Sequence, residues 1–271
     1  MKTTSKLALA SLLLIAGCTN NPVSPDQNQI VLQGYLYAHE AVTDIQLASS
    51  MAIGGTDSVQ TPITTASVVL TKNGKHFQLV PSVSQPGYYV YPGTDLSVNI
   101  GDDFTIDVDV SGKHITAETI VPPKPEQLGL SVTTLRFQAD SIQAPFGTRT
   151  FINGLDSALV TWSNPNGDYY FIVIENIDPG RQLIRPDSLF TGRFVSQPTN
   201  QTSYTINNNS ILYTGQHTLR LFHVNKEYAN LYRSRMQDSR TLNEPLTNVQ
   251  NGLGIFSAFA SDSLSFSVVF N

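Results

Sequence analysis

The only thiol in the 271-residue chain belongs to Cys18, which directly follows Ile15-Ala16-Gly17. This order resembles the bacterial lipobox, in which diacylglycerol alkylates the cysteine sulfur and a peptidase that needs small neighbours makes the cysteine the new N-terminus. The preceding apolar run is too short to span a bilayer and has lysines before it, as in a secretory signal peptide. The sequence therefore predicts a lipoprotein signal peptide at residues 1–17 and lipid attachment at Cys18. A plain signal peptide with an incidental cysteine is the alternative.

The residues after Cys18 indicate where the anchored protein resides. Thr19, rather than an aspartate, follows the cysteine, and in the best-studied Gram-negative sorting system this favours the outer membrane. Residues 18–29 are polar, contain two prolines and have no periodicity, so we expect a flexible tether. Asp26 is the only acidic residue of this segment, which does not match the acidic signal of surface-exported lipoproteins. We predict a lipid-anchored outer-membrane protein and leave open whether it faces the periplasm or the cell surface.

Metal chemistry would need clustered ligands, and the densest acidic group is the run from Asp102 to Asp109. A calcium ion takes about six to eight converging oxygens, whereas this run lacks the spacing and the glycine of an EF-hand loop. Strand alternation instead places Asp107 and Asp109 on one solvated face. The histidines show neither HxH nor HExxH spacing. We predict no metal and no cofactor, and structural roles for all five histidines: His39, His76, His114, His217 and His223.

The sequence also lacks the signatures of common enzymes and of nucleic-acid binders. It contains no G-x-S-x-G nucleophile elbow, and "GLGIF" lacks the third glycine and the context of a dinucleotide-binding loop. Glu118 and Glu175 could form a carboxylate pair, although nothing in the sequence brings them together. The formal net charge is −5 and there is no basic run, so a nucleic-acid partner is not expected. We predict a protein that is not an enzyme.

Three tyrosines in "PGYYVYPG" are the candidate contact residues for a ligand or partner. Tyr89 and Tyr91 share one face of a strand and Tyr88 lies on the other. Exposed tyrosines commonly stack on sugars or anchor a protein partner. The alternative is that one face belongs to the core and the rings cap one end of a sandwich. The polar segment 49–62 is too long for a simple hairpin, and its role stays open.

The elements that must position these residues are β-strands. Period-2 alternation recurs along the chain, and Asn73-Gly74 and Ser111-Gly112 predict tight hairpin turns. The proline-rich segment after Val121 cannot continue a sheet, so we place the domain boundary there. The sequence predicts two tandem β-sandwich domains at residues 30–122 and 127–271. One short inserted helix is expected near 226–237, with Asn225 as its N-cap.

The order of several segments is similar to one known family. A lipoprotein cysteine is followed by "VLQGYLY", "TTASVVL", "QPGYYVY" and "GDDFTIDVDVSGKHITAETIVPPKP", and later by "DYYFIVIENI", "KEYANLYRS" and "EPLTNVQNGLGIFSAF". This resembles the lipoprotein family catalogued as domain of unknown function 4249. The resemblance implies a first sandwich like carboxypeptidase-regulatory or transthyretin-like modules and a second that is fibronectin-III-like, with Trp162 in its core. The acidic pair often found in the middle of family members has no clear counterpart here.

The resemblance also implies a function and a partner. Members often lie beside genes for TonB-dependent outer-membrane transporters, which suggests an accessory role. No catalytic residues are established for the family, so none is carried over to this chain. We expect a non-enzymatic interaction module that is lipid-anchored and accessory to such a transporter. The alternative is a lipoprotein that binds a glycan or peptide directly, and a hydrolase built from scattered residues is the third hypothesis.

Overall fold

The computed structural model describes residues 29–50, 60–144, 147–184, 192–206, 210–235 and 247–270, without the side chains of 142–144, 147–152 and 233–235. The predicted signal peptide, Cys18 and the tether up to residue 28 therefore lie outside the described residues, as do residues 51–59 of the long loop. Within the described part of the chain, no helix is both long enough and apolar enough to cross a membrane.

Alternating apolar residues form the strands of the first half of the chain. In the strand that begins at Asp103, Phe104, Ile106 and Val108 are fully buried and the residues between them point outward. Both predicted hairpin turns are present, since each has two successive residues with positive φ. The strands are β1 (Ile30–Tyr37), β2 (Asp44–Ser49), β3 (Ser67–Lys72), β4 (Lys75–Pro81), β5 (Tyr88–Val90), β6 (Asp103–Val110) and β7 (Lys113–Ile120).

The second half contributes the remaining strands and one helix. The helix α1 (Lys226–Arg235) begins directly after Asn225, as predicted. The strands are β8 (Glu126–Leu130), β9 (Thr134–Ala144), β10 (Gly147–Gly154), β11 (Ala158–Ser163), β12 (Tyr169–Asn176), β13 (Arg193–Val195), β14 (Ser203–Ile206), β15 (Gly215–Val224), β16 (Val249–Gln250) and β17 (Leu253–Phe270).

The strands form two sandwiches with separate cores. In the second, the three-stranded sheet β14-β11-β8 covers the sheet β13-β12-β15-β17, and Trp162 is buried between them. In the first, strands β1, β2 and β5 and the start of β17 cover the sheet β4-β3-β6-β7-β16. The prediction of an all-β fold with two sandwiches and one inserted helix is confirmed.

The last strand, β17, belongs to both sandwiches. Its first part pairs in parallel with β1, from Leu253 opposite Val31 to Phe259 opposite Tyr37. Its second part pairs with β15 and, in parallel, with β9. Phe256 of β17 consequently lies in the first core, as does Val249 of β16, which pairs with β7. Residues 249–259 are thus part of the first sandwich, although the prediction of a second domain at 127–271 assigns them to the other one.

The entry of β17 into the first sandwich depends on a glycine. Gly254 has a φ of 106°, and a Cβ atom there would lie only 1.9 Å from the carbonyl oxygen of Leu32. Side chains rarely adopt this backbone conformation, and the neighbouring atom is backbone, which cannot move aside cheaply. The glycine therefore permits β17 to approach β1 closely enough for Phe256 to reach the core.

Candidate interaction surface

The three candidate tyrosines do not form one surface. Tyr89 is completely buried. Its hydroxyl accepts a hydrogen bond from the Ala66 amide at 2.9 Å and donates to the Ile63 carbonyl at 3.1 Å. Tyr89 is therefore a core residue with a satisfied hydroxyl, as the structural alternative predicts. Tyr88 lies on the other side of β5 and is half-buried. Contact of Tyr88 with a ligand or partner stays a prediction.

Tyr91 belongs to a small polar and aromatic group at the rim of the first core. Its ring meets Phe77 edge-on at 5.4 Å between centroids, and its hydroxyl donates to Asp95. Lys75 donates to the same carboxylate at 2.7 Å. The hydrogen bonds from Lys75 and Tyr91 lower the pKa of Asp95 to about 2. Tyr91 is thus fixed by its neighbours, and its role in binding stays a prediction.

Several acidic residues of the first sandwich contact a histidine or a lysine. His114 contacts Asp109 at 2.8 Å and Asp107 at 3.6 Å on the outer face of the β6–β7 hairpin. Asp102 forms an ion pair with Lys72 at 2.6 Å. Among the described residues, no group of three histidine, cysteine or acidic side chains is arranged to hold a metal ion. Asp107 and Asp109 thus lie on a solvated strand face, as predicted, whereas the Lys72–Asp102 pair is largely shielded from solvent.

The two glutamates that could have formed a catalytic pair lie in different places. Glu118 lines a cleft at the end of β7 together with Asp103 and Glu227. Glu175 is in the second sandwich, where it forms an ion pair with Arg193 at 2.6 Å. The structure therefore does not bring Glu118 and Glu175 together.

Two of the predicted structural histidines are buried in the second sandwich. His217 stacks on Phe266 with ring centroids 5.2 Å apart, and its Nδ1 lies 3.1 Å from the Gly215 carbonyl oxygen. His223 stacks on Tyr170 at 4.6 Å. Burial lowers the pKa of both histidines. Both rings are thus part of the packing of the second sandwich, which agrees with the structural role predicted for them, and that role stays a prediction for the other three histidines.

The sequence patterns do not predict one feature of the structure, a group of aromatic rings where the two sandwiches meet. The rings lie on the faces of β1, β12, β15 and β17 that point away from both cores, and α1 contributes one of them. Tyr37 stacks on Phe259 at 5.2 Å, and Tyr228 meets Phe259 edge-on at 5.0 Å. We call this group the junction cluster: Tyr35, Tyr37, Phe171, Phe222, Tyr228 and Phe259.

The junction cluster joins elements that are far apart in the sequence. Aromatic pairs of this geometry contribute about 0.5–1.5 kcal/mol each beyond the area that they bury. The Tyr37 hydroxyl donates a hydrogen bond to Asp44 at 3.3 Å. The pKa of Tyr37 is raised strongly, mainly by burial and secondly by the negative charge of Asp44. Alternation in "VLQGYLY" and "FIVIENI" predicts which face of each strand carries the rings. It does not predict that these faces of different strands lie next to each other.

Asparagine side chains connect the second half of the chain to the edge of β7. The Asn225 amide donates to the Ile120 carbonyl at 2.8 Å and to the Thr119 hydroxyl at 3.0 Å. The Asn248 amide donates to the Glu118 carbonyl at 3.0 Å. These bonds satisfy backbone groups that the two-residue strand β16 leaves unpaired, which protects the edge from pairing with another chain.

Two residues of the second sandwich also contact the proline-rich connection between the sandwiches. His223 Nδ1 lies 2.7 Å from the Pro123 carbonyl oxygen, and Lys124 forms an ion pair with Asp262 at 3.0 Å. With the shared strand β17 and the junction cluster, these contacts join the two sandwiches across several elements. The arrangement fixes one sandwich relative to the other.

Comparison with known proteins gives a family but no function. No curated protein matches the chain. The family model described as a domain of unknown function, DUF4249, matches residues 19–265. The match begins directly after Cys18 and includes both sandwiches except the last five residues of β17, together with the junction cluster and α1. Because it covers nearly the whole chain, this protein belongs to the DUF4249 family.

Proposed function

We propose that this protein is a lipid-anchored, non-enzymatic interaction module of the outer membrane, accessory to a TonB-dependent transporter. The anchor rests on the lipobox-like sequence that ends at Cys18, and the expected partner rests on the resemblance described above. The part that this protein would present to the partner is a pair of connected sandwiches and not a single tethered domain.

The observation that carries the proposal is the course of β17 relative to the point where the tether enters. The tether ends at Gln29, and β1 then runs in parallel beside the first part of β17. The two strands therefore begin at the same end of the first sandwich. From there β17 continues into the second sandwich as far as Phe270. An 18-residue strand is about 55 Å long.

This geometry suits a protein that presents a surface away from the membrane. The segment between Cys18 and Gln29 reaches at most about 40 Å when fully extended. In a protein anchored at Cys18, the tether would enter at the first sandwich, and the second sandwich follows along β17. The sandwiches are joined across several elements. When a partner binds both of them, this protein therefore loses little further conformational freedom.

The test is to isolate the tagged native protein from membranes in mild detergent and identify what accompanies it. We expect a stoichiometric outer-membrane transporter in the eluate. The matched control is Cys18→Ala, which removes the lipid attachment site and leaves residues 29–271 unchanged. The N-terminal peptide of this variant should carry no lipid, and the transporter should be absent from its eluate.

Two results would contradict the proposal. If the native protein elutes alone, including after chemical cross-linking in intact cells, the accessory role is wrong. If the N-terminal peptide of the native protein carries no lipid on Cys18 by mass spectrometry, the lipid anchor is wrong, whatever the partner.

A further inference from the structure

A cleft on the second sandwich has the chemistry of a ligand site. It lies between the end of α1 and the chain from β13 to β14, and has a volume of about 640 Å³. Ligand clefts in proteins commonly measure about 300–1,000 Å³. Three aromatic rings line it, from Phe194, Tyr204 and Tyr232. Its lining also includes the polar residues Thr199, Gln201 and Ser203.

The described residues that line this cleft carry no charge. An anionic ligand such as a phosphate would need arginine, lysine or a group of backbone amides, and a cation would need carboxylates. A wholly apolar ligand would displace water from the amide and hydroxyl groups of the cleft and offer them no hydrogen-bond partners in return. The combination that remains is apolar ring surface beside uncharged donors and acceptors. A pyranose sugar offers both counterparts, because its C–H face is apolar and its rim carries hydroxyl groups.

The polar wall of the cleft is fixed by hydrogen bonds before any ligand arrives. Thr199 and Tyr170 exchange backbone hydrogen bonds at 2.8 Å in both directions. The Trp162 amide donates to the Thr202 carbonyl at 3.0 Å, and the Asn164 side chain donates to the Asn200 carbonyl at 2.9 Å. The segment 199–202 is therefore held against β11 and β12. A wall held in this way loses little entropy when a weakly interacting, multiply hydroxylated ligand binds.

The aromatic wall is also anchored in the fold. Phe194 and Tyr204 lie with ring centroids 6.0 Å apart, and both are half-buried against the second core. Tyr232 approaches from α1 and is half-buried. Gln201 and Ser203 are exposed beside these rings, so their amide and hydroxyl groups are accessible to a ligand.

We propose that the cleft between α1 and the β13–β14 segment binds a neutral saccharide. The inference goes beyond the proposed function, since it concerns a small ligand of this chain and requires no transporter. If both proposals hold, the saccharide indicates what the partner transports. Each can also fail without the other.

The test measures binding of defined sugars to the purified full-length mature protein by calorimetry. The detergent is an amine oxide, because glucoside and maltoside detergents would themselves compete for a sugar site. The probes are neutral gluco-, manno-, xylo- and galacto-oligosaccharides, with oligogalacturonate as the charged counterpart. We expect at least one neutral probe to bind and oligogalacturonate to bind more weakly.

Two variants locate the site. Tyr232→Ala removes one ring of the cleft and Gln201→Ala removes an exposed amide, and each should weaken binding about tenfold. Tyr91→Ala is the matched control, because it removes a half-buried tyrosine of the first sandwich, and it should leave the affinity unchanged. An unchanged far-UV circular dichroism spectrum together with cooperative urea unfolding would show that a variant is still folded.

The proposal is overturned if none of the neutral probes binds the wild-type protein. It is also overturned if folded Tyr232→Ala and Gln201→Ala both bind as tightly as wild type, or if Tyr91→Ala alone abolishes binding. Because no transporter is present in the assay, each of these results leaves the co-purification experiment unaffected.

Discussion

Single residues of this protein mostly act by filling cores, and the two buried histidines show the consequence for pH. His217 and His223 are 2% and 4% exposed, and burial lowers the pKa of each from the ordinary value of 6.5. Above the ordinary value both the folded and the unfolded chain hold neutral imidazoles. Below it the unfolded chain takes up protons that the folded chain resists, so the free energy of unfolding falls.

We therefore predict that the protein loses stability as the pH falls from about 7.5 to about 5.5. His223→Gln should show a smaller loss over the same interval, because one of the two resisting groups is gone while an amide can still donate to the Pro123 carbonyl. Urea unfolding at several pH values measures both. Equal pH dependence in wild type and variant would show that His223 is not a source of the effect. The comparison also removes the contribution of Asp44, whose pKa is raised by burial.

Residue roles could be predicted from the sequence where the local pattern decides them. Burial of Tyr89 follows from alternation with its neighbours, and one of the two interpretations predicts it. Alternation also places Tyr88 and Tyr91 on opposite faces of a strand. The saccharide cleft has no such local signal, because Tyr232 and Gln201 are distant in sequence and become neighbours only through the packing of α1 on the second sandwich.

At the scale of elements, the edge of β7 is the feature that depends most on single side chains. Asn248 accepts a hydrogen bond from the Phe256 amide at 3.0 Å and donates to the carbonyls of Glu118 and Phe256. It therefore joins the edge strand to β17. Asn251 also contacts this edge, at 3.4 Å from the His114 carbonyl, but in an exposed position.

We predict that Asn248→Ala lowers the free energy of unfolding by about 2 kcal/mol, since it leaves several backbone groups without partners. Asn251→Gly is the control, because glycine tolerates the positive φ of 58° at this position. Its cost should be below about 0.5 kcal/mol. Urea unfolding compares the two. A loss for Asn248→Ala as small as that of the control would contradict the role assigned to this side chain.

The elements differ in how far the sequence predicts them, and the difference follows from contact range. The hairpins at Asn73-Gly74 and Ser111-Gly112 are local, so turn chemistry and alternation suffice. The helix α1 is likewise local. The pairing of β17 with β1 joins residues at opposite ends of the chain, and the nearly continuous apolar run "GLGIFSAFA" does not identify its partner. The assignment of 249–259 to the second sandwich fails for this reason.

At the scale of the whole molecule, the proposed function requires the two sandwiches to behave as one body. The shared strand, the junction cluster and the held linker all oppose relative motion. Tandem domains joined by a bare linker would instead move independently. The resemblance predicts two sandwiches but does not say how they are joined, because that depends on contacts between elements that lie far apart in the chain.

The most direct test is a distance measurement between the sandwiches by pulsed electron paramagnetic resonance. Cys18 is the only natural cysteine, so spin labels can be directed to Val80→Cys in β4 and Leu159→Cys in β11. Both are partly exposed strand positions, at 37% and 40%. We predict one narrow distance distribution that is the same in detergent and in membranes. A broad or two-peaked distribution, with narrow distributions within each sandwich, would contradict the rigid junction.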